Sequence, residues 1–147
     1  MSEATLPASA TVASPLAVQR SRRATVSLTT LRVVLGLFFA IGSAFPKLTA
    51  HESATVSFDR IGFGDWFMYS IGGLELIGGI ALLIPILSGV ASLAFVGLMV
   101  GACSFSFAFL GGEFWYTPLI LIVPLLFVAR AQRDQTVRLL KAVRRQV

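Results

Sequence analysis

Between Trp66 and Leu87 the chain runs for 22 residues with a single charge, Glu75. A run of that length crosses a hydrocarbon layer of about 30 Å as a helix. An ionisable group at such a depth costs at least about 2.5–3.5 kcal/mol unless it is protonated, paired or wetted. Glu75 therefore carries two implications. The chain is a membrane protein, and its interior holds something polar for Glu75 to serve.

The composition agrees. Of 147 residues, 56% are hydrophobic and 13% charged, against about 25% charged in soluble domains, and the mean hydropathy is +0.84. The basic isoelectric point invites a nucleic-acid reading, which the distribution of charge rejects. Arg20, Arg22 and Arg23 precede the first apolar run, and Arg130, Arg133, Arg138, Lys141, Arg144 and Arg145 follow the last. Basic residues in such flanks set membrane topology. Cys103 is the single cysteine, so no internal disulfide and no C-x-x-C redox pair can form. It reads as a buried, inert thiol. His51 is the single histidine and reads as a solvated loop residue, so no metal site is expected.

Hydropathy and turn signals divide the chain into a disordered cytoplasmic tail, 1–27, a transmembrane domain, 28–129, and a basic cytoplasmic tail, 130–147. The expected spans are 28–47, 66–87, 89–110 and 114–129. The first is taken as a retained span rather than a signal peptide, because no small-x-small cleavage site follows it. Pro85 with Ser88-Gly89, and Gly111-Gly112-Glu113, make short links. Short links make consecutive helices antiparallel neighbours, so the predicted fold is an all-α, up-and-down bundle of four transmembrane helices. An even number of spans puts both basic termini on one side, the cytoplasm. Trp66, Tyr69, Trp115 and Tyr116 then form the outer aromatic belt. The outer loop, 48–65, is long enough to be functional and is expected to lie as a short interfacial segment over the bundle mouth.

Membrane helices approach closely through small residues. Span 1 offers Gly36, Ala40, Gly42 and Ala44. Span 2 offers Gly72, Gly78 and Gly79, each three or four residues from Glu75 and hence on its side of the helix. Span 3 offers Gly97-x-x-x-Gly101. These glycines are read as packing positions, and the same faces could serve oligomerisation. Glu75 then points into the bundle, either as a structural residue locked by a hydrogen bond or as a functional group. Its candidate partners are Arg32 and Lys47, fifteen residues and roughly 22 Å apart along span 1. Arg32 is the favoured partner, since guanidinium binds carboxylate bidentately. The alternatives are that Arg32 snorkels to the headgroups and that Lys47 anchors the opposite interface. No catalytic residue stands out.

Taken together, Leu31-Arg32-Val33-Val34-Leu35-Gly36, Gly42, Lys47-Leu48, Phe58, Ile61-Gly62 and Gly72-x-x-Glu75-x-x-Gly78, followed by Leu82-Leu83-Ile84-Pro85, resemble the DoxX-like family of small four-helix bacterial membrane proteins over residues 28 to about 129. The family takes its name from a membrane subunit of a thiosulfate:quinone oxidoreductase, and some members belong to membrane complexes handling thiol or oxidative stress. The resemblance implies a plasma-membrane subunit or partner of a redox system, with a membrane or peripheral oxidoreductase as partner and a quinone as the cofactor class to consider. No cofactor motif appears in the residues themselves. Two departures point away from self-contained catalysis. There is no cysteine pair, and spans 3 and 4 carry no polar residue beyond Ser, Thr and Cys103. The other readings are a non-catalytic scaffold or assembly protein, whose basic tail binds a partner or anionic lipid, and a small proton-coupled transporter using Glu75.

Overall fold

The computed structural model describes residues 15–145, and among them every element is helical. α1 (Pro15–Leu37) runs through a π-helical segment (Phe38–Ser43) into α2 (Ala44–Leu48). Then follow α3 (Glu52–Ile61), α4 (Asp65–Leu83), α5 (Ser88–Phe109), α6 (Tyr116–Ala131) and α7 (Arg133–Arg144). One expectation needs correcting. Helix starts at Pro15, so the stretch expected as a tail up to residue 27 is helical from there on, and residues 1–14 lie outside the described residues. The basic tail is also helical. It spaces Arg133, Arg138, Lys141, Arg144 and Arg145 on one side of α7, with Thr136 and Leu139 on the other.

Three stretches are long and apolar enough to cross a membrane: Arg22–Leu48, Asp65–Leu83 and Ser88–Phe109. The fourth apolar helix, Tyr116–Ala131, has 16 residues. At 1.5 Å per residue it extends about 24 Å, short of a full hydrocarbon layer. The surface they present suits lipid. Ile77, Val123, Ile120 and Ile41 are each more than 60% exposed, whereas an exposed apolar surface this extensive is untenable in water. The chain is an integral membrane protein.

The four apolar helices pack in sequence, α1 on α4, α4 on α5, α5 on α6, and α6 back on α1. Their shared core is Leu35, Phe39, Leu82, Phe95, Met99, Leu125 and Val128. Phe39 stacks on Phe95 at its centre, with ring centroids 3.9 Å apart. Close approach between α1 and α4 depends on glycine. A Cβ on Gly79 would lie 2.8 Å from both the Ala40 nitrogen and the Gly36 oxygen, and one on Gly36 would lie 2.9 Å from the Gly79 oxygen.

Local chemistry sets the element ends. In the π segment the Ala44 N–H bonds the Phe39 carbonyl, five residues back, which accommodates one extra residue per turn just ahead of Pro46. His51 caps α3 by accepting from the Ser53 N–H at 3.3 Å. α3 stops at Gly62, whose φ of +80° suits a residue without Cβ. α4 stops where Ile84 turns extended before Pro85. The α5–α6 link turns on Gly111 and Gly112, both at positive φ.

Candidate functional site

The end of the molecule nearest α3 holds the polar pair. Lys47 Nζ donates to Glu75 Oε2 at 2.7 Å, to Ser43 O at 3.0 Å and to Ser43 Oγ at 3.0 Å. All three ammonium hydrogens are thus used. Glu75 is 4% exposed. The glycine face of α4 makes the contact possible, because a Cβ on Gly72, one turn from Glu75, would sit 3.0 Å from Lys47 Cβ and 3.2 Å from Leu48 Cγ. The π segment contributes by placing Ser43 and Lys47 on the same side as Glu75.

The expected Arg32–Glu75 pair does not form, and the reason is local. α4 ends with backbone carbonyls that have no partner within the helix and carry its negative pole. Arg32 satisfies them, donating from Nε to Leu82 O at 3.2 Å and from Nη2 to Leu83 O at 3.1 Å. With the Gln132 amide turned so that both its ends find partners, its oxygen accepts from Arg32 Nη1 at 3.0 Å and its nitrogen donates to Pro85 O at 3.0 Å. Arg32 is 6% exposed, so it does not snorkel. Leu82 lies seven residues beyond Glu75, about 10 Å along the helix, which leaves Lys47 as the cation at the carboxylate's depth.

Lys47 and Glu75 lie in the wall of a cavity of about 660 Å³, within the 300–1,000 Å³ range of small-molecule sites. Its other walls are mostly apolar, with Phe38 and Phe39 from the first helix, Phe67 and Ile71 from α4, and Leu98, Met99 and Phe105 from α5, and they include Glu113 and the hydroxyls of Ser53, Ser57 and Ser106. α6 adds Thr117, Pro118 and Leu121, while α3 roofs it with Ala54, Ser57 and Phe58. An aromatic cluster seats that roof. Phe58 meets Phe67 at 5.7 Å, and Phe63 meets Phe67 at 5.4 Å and Phe105 at 5.9 Å. At the surface Arg60 Nη1 reaches Glu113 Oε2 at 2.8 Å, an exposed pair of small energetic weight.

The glycines divide into two groups. Gly36, Gly72, Gly78 and Gly79 each meet another helix within 3.1 Å of where a Cβ would stand. Gly97 and Gly101, expected as packing positions, meet nothing within 4 Å and line the cavity instead. Gly42 also lines it, its nearest neighbour being Phe38 of its own segment at 3.5 Å. A small-x-x-x-small spacing reads the same whether a helix or an open space lies opposite.

Sequence reasoning missed Ser43, the second ligand of Lys47, and Gln132 beside Arg32, with Ser88 and Thr136 bonded to Gln132. The four-residue step from Ser43 to Lys47 was a usable signal. Gln132 offered none, since it lies in a stretch that reads as a tail. Cys103 is partly buried, its Sγ 3.6 Å from Trp115 O. Among the described residues no three metal-ligating side chains cluster.

Chemically, the site is a neutral ion pair in a mostly apolar wall. Lys47 occupies Oε2, and among the described residues Oε1 accepts no hydrogen bond, so the carboxylate can still accept from a ligand hydroxyl. The hydroxyl nearest the pair, Ser43 Oγ, accepts from Lys47 Nζ, which Glu75 holds as an ion pair.

No match to a curated protein or to a solved structure was found. The DoxX-like family profile matches residues 30–128, which takes in Arg32, Lys47, Glu75 and the cavity walls. The chain belongs to the DoxX-like family.

Proposed function

We propose that this protein is a plasma-membrane subunit of a redox system that holds a small amphipathic molecule of the quinone class for a partner oxidoreductase, rather than a catalyst by itself. In this reading all four apolar helices span the membrane, both termini are cytoplasmic, and α3 covers the cavity from the outer side. The observation that carries it is the buried Lys47–Glu75 pair in the wall of a mostly apolar cavity of about 660 Å³. Ligand sites have this composition, with apolar walls giving affinity and a few polar groups fixing orientation. The residues fit such a group. Phe38, Phe67 and Phe105 offer faces for a ring, Glu75 Oε1 can accept from a ring hydroxyl, and Lys47 holds the carboxylate in place. A bound quinone would supply two-electron, two-proton chemistry. The chain's own part is to orient the ring and exclude water.

The test is purification in mild detergent from the native membrane, with extraction of bound lipids and identification of companion proteins. A co-purifying oxidoreductase together with extracted quinone is the expected result. Protein recovered alone and free of quinone would refute the reading. Proton movement by that protein in liposomes would then favour the transporter, and a companion bound through α7 without quinone would favour the scaffold.

A further inference from the structure

α4 and α5 both contribute to the cavity wall, α4 through Phe67, Ile71 and Glu75 and α5 through residues from Gly97 to Ser106, and the two helices touch at two heights. Toward the end where Arg32 and α7 lie, Gly78 closes on Phe95, since a Cβ on Gly78 would stand 2.7 Å from Phe95 Cζ. Toward the α3 end the same helices close through Phe67 and Phe105, with ring centroids 5.4 Å apart. From Phe67 to Gly78 is eleven residues, roughly 16 Å along α4. In that interval α4 presents Ile71 and Glu75, and α5 presents Gly97 and Gly101. All four line the cavity, and neither glycine has a neighbour within 4 Å of its Cβ position. Gly97 is exposed on the outside surface, and so is Leu74, at 57%. This interval falls in the middle of two helices long and apolar enough to cross a membrane, so its outside is hydrocarbon.

We infer that the gap between α4 and α5 is a side window to the lipid, and that the ligand is a bilayer-dissolved amphiphile whose head lies against Lys47 and Glu75 while its apolar chain leaves through the window. The inference rests on the ligand-holding reading above and adds the source and shape of the ligand. Two physical points support it. A chain that stays in hydrocarbon is not desolvated on binding, so the cavity need only house the head. Gly97 and Gly101 both border the cavity, and glycine at both positions leaves that border open even though glycine is unfavourable in a helix by roughly 0.5–1 kcal/mol relative to alanine.

The test compares equilibrium binding of a decyl-substituted benzoquinone with that of the same ring without the chain, to detergent-purified full-length protein and to Gly97→Leu and Glu75→Gln. Because the space at Gly97 is open, Gly97→Leu should fold, and a thermal melt checks this. Gly97→Leu is expected to weaken the decyl compound at least tenfold and the bare ring less than twofold, whereas Glu75→Gln weakens both. Equal effects of Gly97→Leu on the two compounds, or none on either, overturn the window and leave the binding reading standing. If wild-type protein binds neither, the binding reading fails and the window with it. If Gly97→Leu does not fold, the gap is not open as described, and that too overturns the inference.

Discussion

The two ends of this molecule use similar parts and reach opposite results. At each end a cation from the first apolar helix meets an acceptor on α4. At the α7 end Arg32 meets the last carbonyls of α4 and the side-chain amide of Gln132, a residue to which Ser88 and Thr136 are hydrogen-bonded. All four of these side chains are buried. α7 lies so close to α5 there that a Cβ on Gly89 would run into Thr136 Oγ1. At the α3 end Lys47 meets Glu75, and the space beyond is open. One polar contact is sealed and satisfied entirely by protein. The other keeps a carboxylate oxygen facing a cavity. Polar groups in a membrane interior are costly in both places, but only the second has anything left to offer a ligand.

Substitutions distinguish the two ends, and the largest effects should come from the charges. Glu75→Leu leaves Lys47 buried without a counter-charge, and Lys47→Met does the converse. Each is expected to lose about 3–5 kcal/mol, read as thermal stability in detergent. The double substitution should lose less than the sum, whereas Arg32→Gln with Glu75→Gln should be additive. Coupling in the second cycle and not the first would reverse the pairing seen here. Next, Arg32→Met removes the hydrogen bonds that close the end of α4, each worth about 1.5–3 kcal/mol when the donor is charged. It should lower stability by about 3 kcal/mol without altering ligand affinity in the fraction that stays folded. Smaller again is Gly79→Ala, which drives a methyl into the backbone of Ala40 and Gly36 and should cost about 1–3 kcal/mol. Smallest is Gly97→Ala, where the space is open. There the change should be neutral or stabilising by up to about 1 kcal/mol, and a loss comparable to that of Gly79→Ala would mean the cavity wall is packed.

Much of the fold was legible because membrane constraints act locally. An uncharged run of 22 residues around one glutamate can hardly be anything but a buried helix, and Gly72 and Gly79 lie on the side of α4 that faces the first helix. What was not legible depends on offsets between helices. Arg32 and Lys47 are equally reachable from Glu75 on paper. The choice turns on where α4 ends, since its terminal carbonyls bind Arg32, and on a π turn that brings Ser43 and Lys47 to the glutamate. The Gly97-x-x-x-Gly101 spacing could not say whether a helix or a cavity lies opposite. Gln132 sits in a basic stretch that reads as a tail, so its place beside Arg32 was invisible. The side of the membrane that each end faces rests on the charge pattern of the termini.

The most direct test of the division between a sealed end and an open one is Gly101→Leu, which adds a side chain to the cavity at a position with no neighbour within 4 Å. Thermal melts of wild type and variant would be recorded with and without the decyl-substituted benzoquinone. The variant should melt no lower than wild type without ligand, and the ligand-induced rise seen for wild type should be abolished. A variant that melts several degrees lower on its own, or one that keeps the full ligand-induced rise, would contradict the account.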